Sequence, residues 1–445
     1  MIPRSRRIRI ATTAAVLIAV WAGVFAPAFA QTKLSAEETA KNLESFDYVW
    51  RTIRDKHFDP TLGGIDWQAA CDELRPRVDS AGTMAEARAA MRALIAKLGQ
   101  SHFGIIPSEA YANIDAPPGK GDLGGSTGVS VRVLDGEAVV TGVLAGSPAA
   151  AAGVRPGWIV RRIEDADVPP LFPAIEEAFA ESPRRELYLS RSVENRLSGA
   201  IGDTLAVAFL DENDRAVEKA IILEEAPGKR IVFGNFPPFY LRTATESLEN
   251  GIVYFTFSVF FDPLTLMPAF EAAMKSFIDA PGVIIDIRGN PGGIGAIPIG
   301  MAGWFIGEKN YDIGTMRTRS DTLRFVVNPR ARLYRGPVAV LVDGCSGSSA
   351  EIFSGGVQGF PRVKILGTRT VGATLPSTAE RLANGDGFQY AIASYITRDG
   401  TELEGTGVIP DIEVRLTREA LLAGSDSVLE VAIDWIESQA YKGGK

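Results

Sequence analysis

The second half of the chain repeats a pattern that few folds accommodate: a short unbroken apolar run, a turn rich in glycine or serine, then a helical stretch. "GVIIDIR" (Gly282–Arg288) leads through "GNPGG" into an apolar helix expected from about Ile294 to Ile306. "GPVAVLVD" (Gly336–Asp343) leads through "GCSGSS" into a helix expected from about Ser349 to Gln358, and "RVKILGT" follows. A strand with no polar face must be covered on both sides, which is the condition of a parallel sheet flanked by helices. Strand, helix, strand in this order calls for right-handed crossovers. "GIVYFTFSVFF" and a helix over Leu266–Ile278 precede these runs, and an amphipathic helix near Val428–Ile436 closes the chain. In such sheets chemistry gathers at the carboxyl ends of the strands. Both turns lie there.

Upstream the periodicity changes twice. From about Ser35 to Gly99 apolar residues recur at helical spacing, with Leu43, Phe46, Trp50 and Ile53 on one face and Ala87, Met91, Leu94 and Leu98 on another. Thr83 to Glu86 reads as a capping box, and Gly99 suits the helix stop. "QSHFGIIP" turns extended, and Ala116–Gly128 has the Gly and Pro density of a linker. Beyond it "VSVRVLD", "EAVVTGVL", "GWIVRRIED", "TLAVAFLD" and "VEKAIILE" read as strands around a small-residue helix. The expected class is α/β, in three parts: an N-terminal helical part over 31–115, a β-rich domain over 118–228, and an α/β domain with a largely parallel sheet over 229–445.

Residues 1–30 read as a leader, with Arg4, Arg6, Arg7 and Arg9 before an apolar run and small residues at Ala28 and Ala30. The mature chain is then expected to begin at Gln31 and to be exported, to the periplasm or the exterior, with no later apolar segment long enough to span a bilayer. A mildly acidic balance, 54 Asp+Glu against 46 Lys+Arg, argues against nucleic acid and anionic membranes as partners. Two cysteines do not make a disulfide framework, and Cys71 sits at helical spacing with Trp67 and Leu74 as core. With two histidines and no cluster at ligand spacing, neither a metal nor another cofactor is expected.

Candidate chemistry centres on "VDGCSGSSAEIFSGG". Ser348 stands at a helix start with Glu351 three residues on, which is formally a capping box and needs no catalysis. The same place suits a nucleophile, since the first helix amides, beginning with that of Ser349, are unpaired donors for a developing oxyanion. Cys345 lies nearer the strand end and is a weaker candidate. In "DIRGNPGG" the glycines imitate a dinucleotide fingerprint, yet an exported protein has little access to such cofactors. The alternative use is geometric: Gly292 or Gly293 exposes a bare amide as second oxyanion donor.

These motifs, in this order, resemble the C-terminal-processing (tail-specific) serine peptidases and their relative, the tricorn core protease. "DIRGNPGG" and "EGTGVIPDI" carry the resemblance most specifically. "GSPAAAAGVRPGWIV" is similar to a PDZ signature, making the middle part a PDZ-like domain with "VPPLFPAIEEAFAESPRRELY" inserted. This implies a peptide C-terminus held by backbone amides near Gly124, Gly125, Gly128 and Val129, beside an exposed strand edge. The C-terminal-processing branch pairs its serine with a lysine, but here the corresponding turn reads "TRTVGAT", with Ala373 in the lysine's place and Lys364 on the preceding strand. The tricorn branch uses a histidine from a Ser-His dipeptide and a late glutamate. The resemblance thus implies Ser348 as nucleophile, His102 as general base, and Glu404, directly or through Ser101, fixing the imidazole. His57 reads as structural. The implied function is a serine endopeptidase acting on peptides or proteins through an acyl-enzyme. The missing lysine keeps open a catalytically inactive ligand- or peptide-binding protein, and an esterase using the same residues is a third reading.

Overall fold

The computed structural model describes residues 33–111 and 119–443, so the expected leader and residues 116–118 of the linker lie outside the described residues. Helices α1 (Ala36–Lys56), α2 (Trp67–Asp79) and α3 (Met84–Ala96) pack through Phe46, Ile53, Cys71, Leu74, Met91 and Leu94. The expected box at Thr83 is half formed. Thr83 accepts from the Glu86 amide, but the Glu86 carboxylate turns back to the Gly82 amide at 2.6 Å. The same core takes in Leu382, Phe388 and Tyr390 from far along the chain. A small sheet explains this: β1 (Gly104–Ile106) pairs antiparallel with Gly387–Ala391, Gly104 facing Gln389. Buried Arg88 on α3 also bonds Asp386 at 2.7 Å.

The middle part contains β2 (Leu123–Ser126), β3 (Val129–Leu134), β4 (Glu137–Val143), β5 (Ile159–Ile163), helix α4 (Arg185–Glu194), β6 (Thr204–Leu210) and β7 (Ala216–Ile222). An antiparallel sheet runs β3-β4-β5-β6-β7, leaving β3 at the edge. Val131, Val140, Trp158 and Phe209 from the sheet bury against Leu189 and Val193 of α4. The edge is not bare. The Val131 amide donates to the Glu194 carboxylate of α4 at 3.1 Å, and the Val131 carbonyl accepts from Arg132 at 2.8 Å.

The last part is built on β8 (Thr243–Ser247), β9 (Val253–Phe257), helix α5 (Pro263–Ser276), β10 (Val283–Asp286), α6 (Ala296–Ala302), β11 (Val338–Val342), α7 (Ser349–Val357), β12 (Val363–Gly367), the hairpin β13 (Ser377–Arg381) and β14 (Gly387–Ala391), β15 (Ile412–Glu413), and helices α8 (Arg418–Leu422) and α9 (Ser427–Gly443). Its main sheet runs β8-β9-β10-β11-β12-β15, parallel except for β8 against β9. The apolar runs are covered on both faces. Ile285, Val340 and Ile365 face Phe270, Met301 and Phe353, while Ile284, Ala339 and Leu366 face Val428, Ala432 and Ile436 of α9. Helix α6 is shorter than its sequence pattern because the Gly303 carbonyl is taken by the Arg330 amide at 2.8 Å. The result is a mixed α/β fold, with three turns presented together at the carboxyl ends of β10, β11 and β12.

Candidate active site

Those turns are bonded to one another. The Gly347 amide donates to the Asn290 carbonyl at 3.0 Å, and the Val371 amide to the Ser346 carbonyl at 3.1 Å. Between β11 and α7, Ser348 adopts φ 53° and ψ −119°, a left-handed backbone that costs a residue with a side chain about 1–3 kcal/mol. Its amide is held by the Ala373 carbonyl at 2.9 Å and the Glu351 carboxylate at 3.1 Å. Gly292 is pressed against it: a Cβ there would sit 2.5 Å from the Ser348 Cβ and 2.7 Å from the Ser349 nitrogen. The Gly292 amide, however, donates to Asn290 Oδ1 at 2.9 Å. That corrects its expected role, since an engaged amide offers nothing to an oxyanion, and Gly292 serves close approach instead. Ser349 Oγ ties the Gly293 carbonyl to the start of α7 at 2.8 Å, leaving the Gly293 and Ser349 amides as the candidate donor pair.

The Ser-His dipeptide arrives from the loop between α3 and β1. His57, buried, braces this loop by contacting Gln100 Oε1 at 2.8 Å and stacking on Phe103. Ser101 Oγ lies 2.7 Å from His102 Nδ1 and 2.8 Å from Glu404 Oε2. A carboxylate only accepts, so the single Ser101 hydroxyl proton goes to Glu404, and Nδ1 must carry a hydrogen to donate to Ser101. Nε2 is then the basic nitrogen. Glu404 also accepts from the Ser101 amide at 2.8 Å, the Thr374 amide at 3.0 Å and Arg184 at 2.6 Å. Thr374 follows Ala373, whose carbonyl holds Ser348, so one turn anchors both the relay and the serine. Burial holds the imidazole down to about 4; Glu404 pulls it up and Arg184 pushes it down.

The other candidates lie in other settings. Burial pushes the Cys345 thiol far up, which leaves it protonated and a poor nucleophile. Lys364 faces Asp411 at 3.9 Å, and Ala373 brings only a methyl group to the lysine's place. Gly124 and Gly125 lie in β2, which is paired on both sides by short strands, and Gly125 abuts the Ala200 carbonyl. The Gly128 amide donates to Ser126 Oγ at 3.0 Å and the Val129 amide faces Thr127 Oγ1 at 3.4 Å. Spacing alone missed one carboxylate and gave another only a capping role. Asp343 accepts from Arg132 of β3, and from the Gly289 and Cys345 amides of the two turns. Glu351 gathers Thr370 Oγ1 and the amides of Gly372, Ala373 and Ser348. Burial pushes its carboxyl up to about 7, against the pull of those four donors.

Residues 252–414 match peptidase family S41, and residues 39–96 match the tricorn protease C1 domain. Over that span the chain is similar to the S41 peptidases. The chain is 23% identical over 412 residues to the putative tricorn protease homolog 2 of Streptomyces coelicolor, covering 88% of this chain and 32% of that protein; it spans about a third of that relative's length. It is 22% identical over 363 residues to the carboxyl-terminal-processing protease of Synechocystis, covering 81% and 78%. The photosystem II D1 C-terminal processing protease matches with a TM-score of 0.55 at 19% identity, over 89% of this chain and 99% of that one. Mature CPAF matches with a TM-score of 0.61 at 12% identity, over 91% and 97%. At these identities the likeness to the solved structures is one of fold. Among the described residues no helix is long and apolar enough to cross a membrane.

Proposed function

We propose that the protein is an exported serine endopeptidase with a histidine-based, tricorn-like mechanism. The observation that carries this reading is the Glu404–Ser101–His102 relay, fixed to the same turn that holds Ser348. In the proposed reaction Ser348 Oγ attacks the scissile carbonyl while His102 Nε2 takes its proton. The Gly293 and Ser349 amides stabilise the oxyanion. The imidazolium then protonates the leaving amine, and water, activated by the same nitrogen, hydrolyses the acyl-enzyme. The middle part would recruit substrates by their C-termini, and export rests on the leader expected over residues 1–30.

A fluorophosphonate probe tests this reading. Wild type is expected to label, and labelling is expected to vanish in Ser348→Ala and His102→Gln while surviving Lys364→Ala. A wild type that takes no label and cleaves no peptide would favour a binding protein on the same scaffold, which the methyl group at Ala373 keeps in view.

A further inference from the structure

Arg184 immediately precedes α4, within the segment that interrupts the PDZ-like pattern, yet its side chain leaves the middle part. Its terminal nitrogen donates to Glu404 Oε1 at 2.6 Å and to the Gly372 carbonyl at 3.2 Å. The next turn of the helix follows it in: Glu186 is packed so closely on Gly344 that a Cβ there would lie 2.2 Å from its carboxylate. Thus α4 touches both turns that flank Ser348. We infer that Arg184 is a positioning residue for the His102–Ser101–Glu404 relay, supplied from the start of a helix outside residues 252–414.

Three physical points carry this. Glu404 is almost enclosed, its side chain 11% exposed, and its other donors are two neutral amides and a hydroxyl. Arg184 adds a cationic donor to these, and a charge-assisted bond is the stronger tether for a carboxylate oxygen. Arg184 takes Oε1, so Oε2 remains for Ser101 Oγ, the contact that sets the imidazole tautomer. Arg184 also opposes the pull of Glu404 on the His102 proton, keeping the base neutral. The other titratable groups nearby are Tyr188 on α4, whose phenol feels both Arg184 and Glu404, and Glu351 beyond Gly372 and Ala373.

The inference rests on the reading of His102 as base. Its test does not need activity alone, because the chain has only two histidines and a His57→Gln variant assigns their NMR titrations. In Arg184→Met the His102 titration should move to higher pH, since a positive neighbour is lost. In Arg184→Lys it should stay near the wild-type position. For peptide hydrolysis at neutral pH, Arg184→Met should lower kcat by about 10–100-fold with KM little changed, and Arg184→Lys should recover part of that loss. A folded Arg184→Met protein whose His102 titrates as in wild type overturns the inference, whether or not kcat falls. Should Arg184→Met fail to fold, Arg184→Gln makes the same comparison. If wild type takes no fluorophosphonate, the peptidase reading fails, while the titrations still decide whether Arg184 governs the relay.

Discussion

A free imidazole gains its proton near pH 6.5, whereas burial holds His102 near 4. Protonation removes the Nε2 lone pair, so a depressed value preserves the base into acid. The acid limb of kcat/KM is therefore expected near pH 4. A limb near 6.5 would contradict the buried setting of His102, and one near 7 that disappears in Glu351→Gln would report that carboxyl instead. At this scale the motifs name Ser101, His102 and Glu404, which share one hydrogen-bonded chain, and Ser348, whose amide is held by the turn that also meets Glu404. The sequence was silent where function depends on a hydrogen bond already spent. Nothing in "RGNPGG" says that Asn290 occupies the Gly292 amide, and nothing in "ESPRRELY" distinguishes Arg184 from Arg185.

At the scale of elements, β3 and α4 matter most. An edge strand that accepts a peptide offers unpaired amides, but the Val131 amide is already satisfied by Glu194, and the apolar faces of the two elements are closed on each other. Recruitment through this edge requires α4 to give way. Glu194→Ala is expected to raise affinity for a peptide with a free C-terminal carboxylate by about tenfold, the worth of roughly one hydrogen bond. Fluorescence anisotropy would read this, with an amidated peptide as control, and unchanged binding would mean that tails do not enter there. The parallel strands β10, β11 and β12 are legible because a run without polar residues admits little else. The hairpin of β13 and β14 is not, although Asn384-Gly385 at its tip is a hairpin signal. Its strands carry polar residues whose partners come from α1, as with Glu380 on Tyr48 and Lys56.

For the whole molecule, the N-terminal helices and the strand after the His102 loop are fastened to the β13–β14 hairpin. Arg88 bonds fully buried Asp386, which also accepts from the Ser108 amide. Removing the cation strands that carboxylate, and Arg88→Met is expected to cost about 3–5 kcal/mol, read as a lower Tm. Adding Asp386→Asn should recover part of the loss by removing the uncompensated charge. Equal melting of the single and double variants would sink that account. Changes of period along the sequence give the expectation of three parts but say nothing of this fastening, because the pairing partners lie almost 300 residues apart.

Glu404 and the Ser348 amide are held by consecutive residues, the Thr374 amide and the Ala373 carbonyl. A displacement of that one turn would therefore reach both groups at once, so neither can drift alone.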